Sequence, residues 1–270
     1  MKAIVISGNG TNCEYESSFA CRLAGFKSVD IIPIYEILTG SVSLNDYHFL
    51  NLAGGFLDGD DLGSAKAAAN AYLFAKIGST SLTVSDQLRQ FINDGKLILG
   101  ACNGFQLLVK LGLLPAIDNQ YFTQTVTLTN NDMGRFEDRW VYLAVDPDSN
   151  CVFTKGMSKI ELPVRHGEGK MVVKNSEILS AILKQHLAPL KYCDPKGNPT
   201  MNYPANPNGS VEAIAGLIDP SGRILGLMPH PEAFLHYTNH PRWTRENLPE
   251  QGTGLIFYKN AFNYLKDKFG

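Results

Sequence analysis

Cys102 stands between two glycines in Gly100-Ala101-Cys102-Asn103-Gly104. The apolar run Leu97-Ile98-Leu99 before it reads as a buried strand, and Phe105 to Leu111 after it carries apolar residues at helical spacing. A strand that turns sharply into a helix with a nucleophile at the apex is a nucleophile elbow. Such a turn crowds the neighbouring backbone, so residues two positions away must be small, as Gly100 and Gly104 are. The helix start also aims unpaired N–H groups and partial positive charge at Cys102, which favours the thiolate. A buried structural cysteine is the competing reading. The glycine pair favours the nucleophile.

A cysteine nucleophile needs a base and a group to orient it. His230 lies in Met228-Pro229-His230-Pro231-Glu232, at the end of the last expected strand. Two residues on, Glu232 can project to the same side of extended backbone, which the flanking prolines favour. A carboxylate there fixes the imidazole tautomer and stabilises its charged form. A surface His-Pro turn is the alternative. His166, in Arg165-His166-Gly167-Glu168-Gly169, reads as a substrate-binding loop, with catalytic base as the lesser reading. His236 and His240 have a helical metal-ligand spacing, but Pro241 argues against a helix and no third ligand is evident, so no metal is expected. His48 and His186 read as ordinary strand-edge and helix residues.

Gly54-Gly55 ends another apolar run, and backbone N–H groups there could supply half an oxyanion hole, the other half coming from the Asn103 N–H. Asp58, Asp60 and Asp61 disfavour phosphate in that loop. Gly8-Asn9-Gly10 lacks the third glycine of a dinucleotide fingerprint and reads as a tight turn near the same rim.

The elements that must position these groups alternate through the first half. Strands are expected at residues 3–7, 29–35, 49–53 and 97–101, and helices at 14–24, 64–75, 84–93 and after Cys102. Near-continuous apolar strands between helices imply a mostly parallel α/β sheet covered on both faces, which binds ligands beyond the carboxyl ends of its strands. Gly54-Gly55, Cys102 and His230 therefore share one rim. The second half reads as strands at 123–128, 140–145 and 159–164, an antiparallel excursion. A helix at 176–186 and a loop at 191–209 follow, then a hairpin of 211–218 with 223–228 and a closing helix at 254–268. No repeat or linker composition interrupts residues 1–270, which read as one domain.

The 24 Lys and Arg against 26 Asp and Glu, with no basic block, argue against nucleic-acid binding. No apolar run is long enough for a membrane helix, and the apolar N-terminal run is too short for a signal peptide. The five scattered cysteines have no Cys-x-x-Cys pair and fit a reduced, cytoplasmic inventory.

Cys102 in its elbow, then Gln106, then His230-Pro231-Glu232, in that order, resembles the class I (triad-type) glutamine amidotransferases, with their flavodoxin-like sheet. Finer motifs resemble the branch that forms the glutaminase subunit of phosphoribosylformylglycinamidine synthase. They are Gly10-Thr11-Asn12-Cys13-Glu14, Gly54-Gly55-Phe56 with Gly59-Asp60-Asp61, and Cys102 to Leu108. His166 to Gly169, Asn206 to Ser210 and Met228 to Glu232 complete the set. The resemblance implies that Cys102 attacks the side-chain amide of L-glutamine, that His230 shuttles the proton and that Glu232 orients His230. Gly55 and Asn103 match oxyanion-hole positions. Gly54, Gln106 and the loop of Arg165, His166, Gly167 and Glu168 match substrate-binding positions. It implies no cofactor on this chain, with ATP and Mg on an ATP-dependent synthetase subunit that receives the ammonia, and in some systems a small accessory subunit. A glutaminase for another synthetase, or a cysteine hydrolase or peptidase on the same scaffold, is the alternative. Residues 71–83 and 238–251 look like insertions, expected to touch the synthetase or to replace accessory-subunit contacts.

Overall fold

The computed structural model describes residues Met1–Gly270. The first half alternates as the sequence requires: β1 (Lys2–Ser7), α1 (Glu14–Ala24), β2 (Ser28–Pro33), α2 (Ile34–Thr39), β3 (Phe49–Leu52), α3 (Lys66–Phe74), α4 (Val84–Asn93), β4 (Leu97–Ala101) and α5 (Asn103–Lys110). The second half contains β5 (Val126–Thr129), β6 (Glu137–Val145), β7 (Lys159–His166), β8 (Lys170–Val173), α6 (Ser176–Lys184), β9 (Leu190–Cys193), β10 (Ile214–Ile218), β11 (Ile224–Leu227) and α7 (Gly254–Phe269).

The main sheet runs β2-β1-β3-β4-β11-β10-β9-β6-β7. Strands from β2 through β11 are parallel, and from β10 onward each neighbour is antiparallel. Every residue of β3, β4 and β11 is buried, which is why these strands read as apolar runs without alternation. The chain moves leftward from β1 to β2 and rightward from β3 to β4. Right-handed crossovers therefore put α1 on one face and α3 to α5 on the other. Helix α7 joins α1, and α3 packs on α4 and α5. One apolar cluster of 68 buried residues runs from Ala3 to Leu265.

The structure revises three elements. The expected strand at 29–35 ends at Pro33, and Ile34 and Tyr35 begin α2. The expected strand at 123–128 is β5, which leaves the main sheet to pair with β8 in a separate two-stranded sheet. The expected loop at 191–209 begins inside β9, which inserts between β10 and β6. Both β8 and β9 are four residues long, too short to show a period of their own.

Candidate active site

Cys102 adopts φ 51° and ψ −106°, a strained conformation for a residue with a side chain. The turn is possible because its neighbours lack side chains. A Cβ on Gly100 would lie 2.6 Å from the Gly104 carbonyl oxygen, and one on Gly104 would lie 2.0 Å from that of Leu52. The Cys102 N–H donates to the Leu227 carbonyl at 2.8 Å, tying the elbow to the end of β11, from which the chain leads to His230.

His230 and Glu232 are both buried. The His230 Nδ1 lies 2.5 Å from Glu232 Oε1, while its Nε2 has no partner in the chain. The His230 backbone N–H donates to the Pro163 carbonyl of β7 at 2.9 Å, so the antiparallel half helps hold the residue in place. Burial opposes its charged form, yet Glu232 and Cys102 outweigh burial and hold its pKa well above the ordinary histidine value. Gly54 closes the site from behind, since a Cβ there would lie 2.8 Å from His230 Cε1.

Gly55 has φ 142°, in the region open to glycine, where it approaches Gly10, Thr11 and Asn12. The Gly8-Asn9-Gly10 turn lies against it, with the Phe56 N–H on the Gly10 carbonyl and the Asn12 N–H on the Gly54 carbonyl. Asn103 begins α5, where its N–H has no intrahelical acceptor. The Asn103 side chain takes a bond from the Leu57 N–H at 3.1 Å and gives one to Gln106 Oε1 at 3.0 Å. Gln106 Nε2 then donates to the Glu168 carbonyl at 2.6 Å, and Glu168 Oε2 accepts from the Ser64 N–H. The glycine loop, the elbow and the 165–168 loop are thus one network.

These groups border a cleft of about 600 Å³ whose walls include Gly55, Cys102, Gln106, Arg165 and His230. His166, Gly167 and Glu168 also face it. Cys102 Sγ lies 3.5 Å from the Arg165 carbonyl oxygen. Burial pushes the His166 imidazole down to about 4, with nearby His230 adding to the effect, so it is neutral at physiological pH. A neutral, unpaired Nε2 fits a binding group better than a general base.

Several further residues contribute, of which Asn131, Arg135 and Phe136 carry no sequence signal of their own, while Cys13 and Asp60 lie in motifs already noted without a site role. Asn131 holds the 166–169 loop: its Nδ2 donates to the His166 carbonyl, and its Oδ1 accepts from the Gly169 N–H and lies 3.1 Å from His166 Nδ1. Arg135 and Phe136 form one wall of the cleft. Cys13 sits 3.9 Å from His230 Nδ1, and burial pushes its thiol pKa up. Asp60 also reaches the cleft, its carboxyl raised first by burial and then by Glu168. The pair His236 and His240 does not converge: His236 bonds Thr238 in a short 3-10 turn, and buried His240 bonds Glu161 at 3.1 Å. His48 is half-buried ahead of β3, and half-buried His186 lies past α6, bonded to Asp146.

The arrangement provides a cysteine at a helix start, a charged imidazole beside it, a buried carboxylate behind that, and backbone N–H groups facing the same rim. That is the equipment of acyl transfer through a thioester. Comparison with known proteins identifies the family. The family described as a CobB/CobQ-like glutamine amidotransferase domain matches residues 1–265. The phosphoribosylformylglycinamidine synthase subunit PurQ of Dehalococcoides mccartyi is 41% identical over 98% of both chains. PurQ of Methanococcus maripaludis is also 41% identical, over 98% of this chain and 97% of its own. A PurLQS structure from Thermotoga maritima superposes with a TM-score of 0.70 at 27% identity, covering 98% of each chain. A GMP synthase-like subunit from Thermoplasma acidophilum, at 14% identity and TM-score 0.53, shares the fold.

Proposed function

Because this chain belongs to the CobB/CobQ-like glutamine amidotransferase family, we propose that Cys102, His230 and Glu232 hydrolyse L-glutamine to release ammonia. The chain is a glutamine amidotransferase subunit of purine biosynthesis, partnered with the synthetase subunit of phosphoribosylformylglycinamidine synthase. The observation that carries the catalytic reading is the short His230–Glu232 contact behind a strained, glycine-flanked Cys102.

The Cys102 thiolate attacks the amide carbon of the glutamine side chain. The oxyanion that forms is met by the N–H groups of Gly55 and Asn103, aimed where charge develops. Imidazolium His230, supported by Glu232, gives its Nε2 proton to the departing nitrogen, and ammonia leaves a glutamyl thioester. Water then attacks the thioester with His230 as base, the C–S bond breaks, and glutamate leaves with the thiolate–imidazolium pair restored. The amino-acid end of glutamine carries one positive and one negative group. Asp60 and Glu168 offer carboxylates to the ammonium, and Arg165 and Arg135 offer guanidinium groups to the carboxylate. Gln106 and Gly167 shape that end, with Gly54 behind the imidazole.

Ammonia released into water is protonated and ceases to be a nucleophile, so it must reach the synthetase under cover. There it converts formylglycinamide ribonucleotide to the amidine, and we place ATP and Mg on that subunit. The continuous core supports reading residues 1–270 as one glutaminase domain. No helix is long and apolar enough to cross a membrane. The five unpaired cysteines support a cytoplasmic setting.

The test is ammonia release from glutamine by wild type and Cys102→Ala, with and without synthetase loaded with ATP and formylglycinamide ribonucleotide. Turnover that needs Cys102 and rises with the loaded partner is expected. Absence of glutamine hydrolysis under both conditions, with an ester or peptide acylating Cys102 instead, would overturn the reading.

A further inference from the structure

Helix α1 starts inside the catalytic cleft, where Asn12, Cys13 and Glu16 form part of the wall. Its inward face, with Ser17, Ala20, Cys21 and Ala24, is buried. On its outer face Tyr15, Phe19 and Leu23 follow one another at four-residue spacing and are 73%, 55% and 45% exposed. Residues so spaced lie on one side of a helix, and the solvent side of a surface helix is ordinarily polar. A contiguous stripe of two aromatics and a leucine is the composition of an interface centre.

Beside this stripe runs a second groove, of about 720 Å³. Phe19, Leu23, Leu235 and Leu255 form its apolar wall, and Glu16 and Arg165 belong to both this groove and the catalytic cleft. Glu232 borders it as well, and the carboxylate oxygen not engaged with His230 has no partner in the chain. The groove therefore leads from the side of the catalytic carboxylate out to the exposed stripe. Asn239, Glu250 and Gln251 form its far edge, so the 238–251 segment contributes there. That segment is held to β6 and β7 by Arg242 on Glu161 and by buried His240.

We propose that the Tyr15–Phe19–Leu23 stripe and its adjoining groove are the docking surface for the synthetase subunit. The proposal rests on the glutaminase assignment. What selects this occupant is the product: ammonia formed at Cys102 has to leave under a cover continuous with the cleft, and this apolar surface is joined to the cleft by the shared walls Glu16 and Arg165. The covering segment is apolar, with a cationic or amide group opposite Glu16 and Glu250. The competing surface is the 71–83 segment, whose Phe74 is 74% exposed on the other helical layer.

The test uses full-length chains Phe19→Asp, Leu23→Asp and Phe74→Asp with the complete synthetase, measuring its affinity in the presence of glutamine, ATP and formylglycinamide ribonucleotide. Phe19→Asp and Leu23→Asp are expected to weaken binding at least tenfold and to abolish synthetase-stimulated glutamine turnover. Their basal glutamine hydrolysis should stay within twofold of wild type, as should ammonium-driven synthesis by the synthetase. Phe74→Asp is expected to bind normally. Wild-type binding by both groove variants, or a loss confined to Phe74→Asp, would overturn the proposal. So would a groove substitution that only converts a dimer of this chain to monomer, which would name a second copy as the occupant. If wild type bound no synthetase and released no ammonia, the functional assignment itself would fall.

Discussion

The two halves of the sheet build their shares of the site by different means. In the parallel half, close backbone approach places the reacting groups. Gly100 and Gly104 let β4, α5 and β3 touch, Gly54 admits the His230 ring, and the Leu227 carbonyl holds the Cys102 N–H. In the antiparallel half, side-chain amides do the placing. Asn131 fixes the 166–169 loop, and Asn208 reaches the Gly169 carbonyl and the Tyr192 hydroxyl. Contact between backbones tolerates no added atom. A network of amides tolerates conservative change and fails by degrees. On the roles proposed above, the reacting groups thus sit on the less forgiving half and the 165–168 loop on the more adjustable one.

The largest expected effect is on the parallel side. Glu232→Gln should lower kcat for glutamine by about 10²–10⁴-fold, because the amide cannot stabilise the imidazolium. Loss of that partner also lowers the His230 pKa, so the alkaline limb of the kcat/KM profile should move to lower pH, read by steady-state kinetics across pH. Gly104→Ala should lose about 3 kcal/mol or more, since the new methyl meets the Leu52 backbone. Gly167→Ala, whose Cβ meets nothing nearer than Phe136 at 4.0 Å, should melt like wild type. Equal melting temperatures for the two alanine variants would erase the contrast between the halves.

Asn131→Ala probes the amide network. It removes acceptors from the Gly169 N–H and a donor to the His166 carbonyl, and should cost about 1–3 kcal/mol. Its kinetic signature should be a tenfold or greater rise in KM for glutamine with a smaller change in kcat. A fall confined to kcat would place Asn131 with the chemistry instead.

The smallest effect is a pH dependence of stability. His166 titrates near 4 when folded, below its unfolded value, so the unfolded chain binds more protons between the two. Its contribution is complete above the unfolded pKa and is lost as pH falls toward about 4, by roughly 1–3 kcal/mol. Below that it adds no further slope. His166→Gln should flatten this part of the melting-temperature profile, and an unchanged profile would count against a buried neutral imidazole.

What could be read in advance follows the same division. Cys102, His230 and Gly54-Gly55 follow strands that are buried throughout, with Asn51 their one polar residue, so their shared rim follows from the buried runs before them. Asn131 lies in a polar loop whose neighbours have no period, and its role exists only after β6 and β7 bring His166 alongside. Glu137, buried opposite His166 in the register of those strands, was equally silent. The early end of β2 has a local cause: Pro33 closes the strand in extended backbone, and Ile34 starts a helix of six residues, a length at which periodicity carries little information. The stray pairing of β5 and β8 is a tertiary choice, since Thr127 and Val172 oppose one another across a turn of sequence more than forty residues long.

The place of β11 has a consequence for how the protein is made. It is the last strand in the chain yet sits between β4 and β10 in the middle of the sheet. While the ribosome is still delivering the chain, β4 has no neighbour on that side, and Cys102 lacks both the Leu227 carbonyl and the His230 imidazole. The nascent protein therefore holds its nucleophile without its base until the residues from β10 through His230 have emerged. Completion of the sheet and assembly of Cys102, His230 and Glu232 into one site are a single event.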